Sequence, residues 1–145
     1  MNYKNAKEYL YSDGSWRDIY VFDTSRSDMN RFLNFVRPML KEDSFSIDGE
    51  VSEVPTSYEE ALKIRKEHAC LLSIPVGASE INCHFFDDSE LELDLVPEDY
   101  NNETQWKHLD LFLSELSKTL EKEVVLTPEN QPDEIYIRYK TRAEK

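Results

Sequence analysis

Glycine is scarce in this chain. The three present, at 14, 49 and 77, are scattered, and each sits at an expected turn. That excludes a phosphate-cradling Walker loop, a dinucleotide fingerprint and a nucleophile elbow, all of which need clustered glycines. Cysteine is scarce too. Cys70 and Cys83 form no Cys-x-x-Cys pair, so neither a zinc ribbon nor a redox motif is written here. No stretch approaches the run of about 18 apolar residues that a membrane span requires. The opening MNYKNAKEYL has no apolar core of a signal peptide. The chain therefore reads as soluble and cytoplasmic, with both thiols reduced.

Positive charge is the most telling shortage. Seventeen Lys and Arg face thirty Asp and Glu, a formal net charge of −13 over 145 residues. Such a chain repels phosphate backbones and anionic membranes, which argues against direct nucleic-acid or membrane binding. It attracts basic proteins, because complementary fields speed encounter. The shortage is local: residues 67–106 contain no Lys or Arg but ten acids, which supply −10 of the net charge. Its densest part, INCHFFDDSELELDLVPED (81–99), holds Cys83, His84 and seven carboxylates.

What is present suits one domain over 1–145, with the first fourteen residues and the tail 140–145 expected to be loosely ordered. A chain this long buries roughly 68–70% of its unfolded surface, so it folds without a metal or disulfide. WRDIYVFD (16–23) carries apolar residues on both parities and predicts a central strand, with Trp16 in the core. Met29, Phe32, Leu33, Val36 and Leu40 repeat at helical spacing until Pro38 ends or kinks the helix. SFSID and EVSEV flank Asp48-Gly49 and predict a hairpin. Ser57 caps a second helix, YEEALKIRKEHA, with Glu60 at capping-box spacing. CLLSIPV, SEINCHFF and ELELDLV predict a three-strand meander. Trp106, Leu109, Leu113, Leu116 and Leu120 mark a third helix, and EVVLT and EIYIRY two last strands. The order predicts an α+β fold: a mainly antiparallel sheet of six or seven strands, with three helices packed mostly on one face.

Alternation assigns sides in the acidic stretch. Burying one face penalises a slipped register, so Cys83 is expected opposite Leu93, Asn82 opposite Asp94, and His84 opposite Glu92. Ile81, Cys83 and Phe85 then face the core. Asn82, His84, Glu90, Glu92 and Asp94 share the other face. The preceding hairpin sets Val76 against Ser79 and Leu72 against Cys83, which turns both thiols inward. His68, Cys70, Cys83 and His84 consequently do not converge within the about 2.0–2.3 Å of one point that zinc demands. Alternate carboxylates along a strand stand ~6.5–7 Å apart, too far for one hard cation to engage three. No metal or cofactor is expected.

His84 and Glu92 are the catalytic candidates, as half of an acid–base device. No nucleophile or oxyanion loop accompanies them, so the chain reads as non-enzymatic. The candidate partner-binding residues are Asp87, Asp88, Glu90, Glu92, Asp94, Glu98 and Asp99. Three functions remain in view: a binding module that docks a basic protein through this face, a small hydrolase-like or metal-assisted enzyme using His84 and Glu92, and a DNA-mimic inhibitor whose carboxylates imitate phosphates.

WRDIYVFDTS (16–25), NCHFFDDSELELDLVPED (82–99) and VVLTPEN (124–130) resemble a pattern of small bacterial proteins of unassigned function. In size and acidity the chain also resembles immunity proteins of bacterial toxin systems, a likeness of type that transfers no residues. It implies a cytoplasmic antitoxin that blocks a basic toxin domain, often a nuclease.

Overall fold

The computed structural model describes residues 1–140. It is an α+β fold. Eight strands form one antiparallel sheet: β1 (Arg17–Phe22), β2 (Phe45–Ile47), β3 (Glu50–Val51), β4 (Cys70–Val76), β5 (Ser79–Cys83), β6 (Glu90–Leu95), β7 (Val124–Pro128) and β8 (Ile137–Tyr139). Their spatial order is β3-β2-β4-β5-β6-β1-β7-β8. Four helices accompany it: α1 (Tyr3–Ala6), α2 (Arg26–Val36), α3 (Tyr58–Arg65) and α4 (Glu103–Leu120). Against the expected six or seven strands and three helices, the additional helix is the one-turn α1, and β3, only two residues long, is the second arm of the hairpin expected across Asp48-Gly49.

Alternation builds the core. Ile19 and Val21 of β1, Leu91, Leu93 and Leu95 of β6, Ile81 and Cys83 of β5, and Leu72 and Ile74 of β4 are all buried on one side of the sheet. The helices cover that side with Met29, Phe32, Leu33, Val36, Tyr58, Ala61 and the α4 stripe from Trp106 to Leu120, in one continuous cluster. Ser25 begins α2 with a full capping box, its hydroxyl accepting from Asp28 N while the Asp28 carboxylate accepts from Ser25 N. Ser57 Oγ caps α3 by accepting from Glu60 N at 3.2 Å. The Glu60 carboxylate does not complete a box there, because it accepts from Thr56 N and Thr56 Oγ1 instead. A short 3-10 turn over Arg37–Met39, with Pro38 inside it, ends α2.

β1 is the central strand, bound by β6 on one side and β7 on the other. At its start the expected burial is inverted: Arg17 is 0% exposed and Trp16 is 41% exposed. Parity explains this. Arg17 shares the inward side with Ile19 and Val21, and its guanidinium finds a ready set of acceptors. Nε donates to Tyr9 O at 2.7 Å, Nη2 to Tyr11 O at 3.0 Å, and Nη1 to Trp16 O and Ser15 Oγ at 3.0 Å each. The Asp13 carboxylate lies 3.4 Å from Nη1. These bonds also anchor the segment that precedes the strand. Residues 1–14 are tied to the sheet through Arg17, with Ala6 and Leu10 fully buried and Trp106 Nε1 donating to Met1 O at 2.8 Å. Of the expected loose tail, residues 141–145 lie outside the described residues.

Candidate functional site: the acidic face of β6 and β1

β6 lies between β5 and β1, and the acidic stretch runs along it. The register agrees with alternation at its first two pairs, Asn82 opposite Asp94 and Cys83 opposite Leu93. There the β5–β6 ladder stops. Phe85 takes a left-handed backbone, φ 57°, which a bulky residue adopts only under tertiary compulsion. The compulsion is packing: the Phe85 ring is buried with its centroid 5.4 Å from Tyr58 and 6.0 Å from Phe45. The turn beyond is pinned to the helical layer. Thr24 N donates to Ser89 O, Thr24 Oγ1 to Asp88 O, and Tyr58 OH to Asp87 O.

His84 therefore does not meet Glu92. Its Nε2 lies 3.1 Å from Asp94 Oδ2, while Asn82 Nδ2 donates to Asp94 Oδ1 at 3.0 Å. One carboxylate thus holds Asn82 of β5 and His84 just beyond its end. The hydrogen bond to Asp94 raises the His84 pKa above the ordinary histidine value; burial opposes it, and the charges of Asp94 and Glu92 reinforce it. The His84 ring stacks on Phe86, centroids 5.1 Å apart and planes within 15°. The Arg65 guanidinium sits 5.5 Å from the Phe86 centroid. Phe86 is 54% exposed, so it is a surface aromatic flanked by a histidine and an arginine.

The other expected acids divide into three groups. Glu90, Glu92 and Asp94 share the outward face of β6, as alternation requires. Asp88 leaves that face and pairs with Arg26, Nη2 to Oδ2 at 2.6 Å. Asp87 stays exposed and folds back onto Asp88 N and the Ser89 hydroxyl, which hold its pKa low. Glu98 and Asp99 lie beyond the far end of β6 in a 3-10 turn over Pro97–Tyr100, where Asp99 accepts from Ser79 Oγ at 2.8 Å. Glu90, Glu92 and Asp94 are thus a compact trio, and the remaining four sit at the two ends of the strand.

Asp18, which is not among the expected site residues, joins that trio. It stands directly opposite Asp94 across the β1–β6 ladder, with Tyr20 opposite Glu92 and Phe22 opposite Glu90. It is buried and accepts from Asn130 N at 2.8 Å and Tyr20 OH at 3.3 Å. The signal that could have found it is parity, since Asp18, Tyr20 and Phe22 alternate with the core residues of β1. Burial raises the pKa of Asp18 despite the bond from Asn130, and the charges of Asp94 and Glu129 add to the rise. Burial likewise raises Glu92, helped by Asp18 and Glu90, and raises Glu90, helped by Asp87. Like charges opposed across strands cost stability, and this face concentrates them.

The soft ligands lie apart. His68 Nδ1 is 2.6 Å from Asp48 Oδ2 near the edge of the sheet. Cys70 and Cys83 are buried free thiols, and burial pushes Cys83 up to about 12. His84 is on the opposite face. Among the described residues no group of three or more His, Cys, Asp or Glu is arranged to hold a metal ion, and no helix is long and apolar enough to cross a membrane. No protein family, curated protein or solved structure matches this chain.

Proposed function

We propose that this chain is a non-enzymatic binding module that docks a basic protein surface on the acidic face of β6 and β1. Glu90, Glu92 and Asp94 are its centre, Phe86 its aromatic anchor, and Asp87, Glu98 and Asp99 its outlying charge. The observation that carries the reading is the gathering of four carboxylates on two adjacent strands, three of them raised in pKa chiefly by burial, with neighbouring carboxylates adding to the rise. An arrangement that costs the fold stability is expected where a partner of opposite charge relieves it. The exposed Phe86 beside it, stacked on His84, has the character of an interface anchor. The likeness in size and acidity to immunity proteins makes a basic toxin or nuclease domain the partner class. The protein would then act in the cytoplasm as an inhibitor, without binding nucleic acid itself.

The test is affinity capture from native lysate at low salt with elution at high salt. It is run in parallel on the natural chain and on Glu90→Gln/Glu92→Gln/Asp94→Asn. A basic protein retained by the natural chain and lost by the variant supports the reading. Retention of the same proteins by both, or of none by either, overturns it.

A further inference from the structure

The helical layer presents a second surface, on the side of the sheet away from the acidic face. Leu111 is 60% exposed at the middle of α4. It forms part of the wall of a mainly apolar groove of about 210 Å³, lined also by Phe35, Met39, Val76 and Phe112, with His108 and Glu115 in the same lining. Around this apolar centre the charge is balanced: α2, α3 and α4 together carry six acids and six Lys or Arg. The net acidity of the chain is concentrated elsewhere, so a second, equally acidic molecule can approach here without strong repulsion.

We propose that this surface is a two-fold homodimer interface in which α4 packs antiparallel against α4 of a second copy, crossing at Leu111. The pattern of charges selects a second copy over any other occupant. Lys107 and Glu115 flank Leu111 at equal distances, one turn before and one turn after it on the same ridge of the helix. In an antiparallel pair crossing at Leu111, Lys107 of each copy faces Glu115 of the other, so both ends of the contact are matched by symmetry. Within one chain these two side chains make only exposed ion pairs, Lys107 with Glu103 at 3.7 Å and Glu115 with Lys118 at 3.5 Å, which are easily exchanged. Leu111 of each copy covers the groove of the other. The acidic faces then point away from the interface and stay open.

Sedimentation velocity over a concentration series tests this. The natural chain should pass from monomer to dimer as concentration rises. Leu111→Glu should remain monomeric with an unchanged far-UV spectrum, because the position is exposed, and with an unchanged thermal transition at concentrations where the natural chain is also monomeric. Lys107→Glu and Glu115→Lys should each weaken association by about tenfold, since each creates two like-charge contacts. The double variant Lys107→Glu/Glu115→Lys should recover it. A natural chain that stays monomeric throughout, a dimer that survives Leu111→Glu, or a double variant no better than the single ones overturns the proposal. None of these outcomes depends on the partner of the acidic face.

Discussion

Glu92→Gln should stabilise the fold at alkaline pH. Glu92 stands between Glu90 and Asp94 on β6, opposite Tyr20, with Asp18 two residues along β1 on the same face. Its folded pKa is raised above the unfolded value by burial and by those neighbours. A raised carboxylate favours the folded state when protonated and opposes it when ionised. Its penalty is therefore full above the folded pKa and fades as pH falls through that value. Glutamine keeps the shape and removes the charge. Taking a like-charge neighbour as costing about 0.2–1 kcal/mol, and allowing for partial screening at a half-exposed site, the gain is about 1 kcal/mol. For a domain of this size that corresponds to roughly 2–4 °C in Tm. The assay is a set of thermal melts of both proteins from pH 8 down to the carboxylate range. The natural chain should close the gap as pH falls. A variant with unchanged or lower Tm at pH 8, or a gain that is the same at every pH, would refute the claim that this face is under electrostatic strain.

Three further outcomes follow from individual residues. Arg17→Met strands the carbonyls of Tyr9 and Tyr11; urea unfolding should show a loss of about 1–3 kcal/mol, and amide exchange in residues 1–14 should quicken, whereas no measurable loss would contradict the role given to this guanidinium. The imidazole of His84 should titrate by NMR above the ordinary histidine value and return toward it in Asp94→Ala; with a raised pKa its contribution to stability is present below the unfolded value and lost as pH rises through the folded one. Cys83 should resist thiol reagents in the native state at pH 8 and react on unfolding, and rapid native labelling would show that its burial is wrong.

Much of the fold could be read from periodicity because the relevant forces are local. The stripe Trp106–Leu120 and the alternation of Ile81, Cys83, Leu91, Leu93 and Leu95 each follow from burying one face of a regular element. That alternation also set Asn82 against Asp94 and turned the thiols inward. The misses lie where tertiary demands override pattern. His84 was paired with Glu92 by continuing the ladder, but Phe85 leaves it to reach Tyr58 and Phe45, and nothing local announces that choice. Trp16 and Arg17 exchanged places because hydrophobicity ranked the tryptophan inward, while parity and the carbonyls of Tyr9 and Tyr11 favoured the arginine. Asp88 is expected among the partner-binding acids because its own partner, Arg26, is 62 residues away in sequence. Asp18 was legible in principle and was hidden only by the apolar character of the strand around it.

The most direct test of the account is the rate at which the captured basic partner associates with this protein, measured by stopped flow as ionic strength is varied. For the natural chain the rate should be high at low salt and fall steeply as salt screens the acidic face. For Glu90→Gln/Glu92→Gln/Asp94→Asn it should be slower at low salt, with a flatter dependence, while the two rates converge at high salt. Identical rates and identical salt slopes for the two proteins would contradict the claim that this face receives the partner.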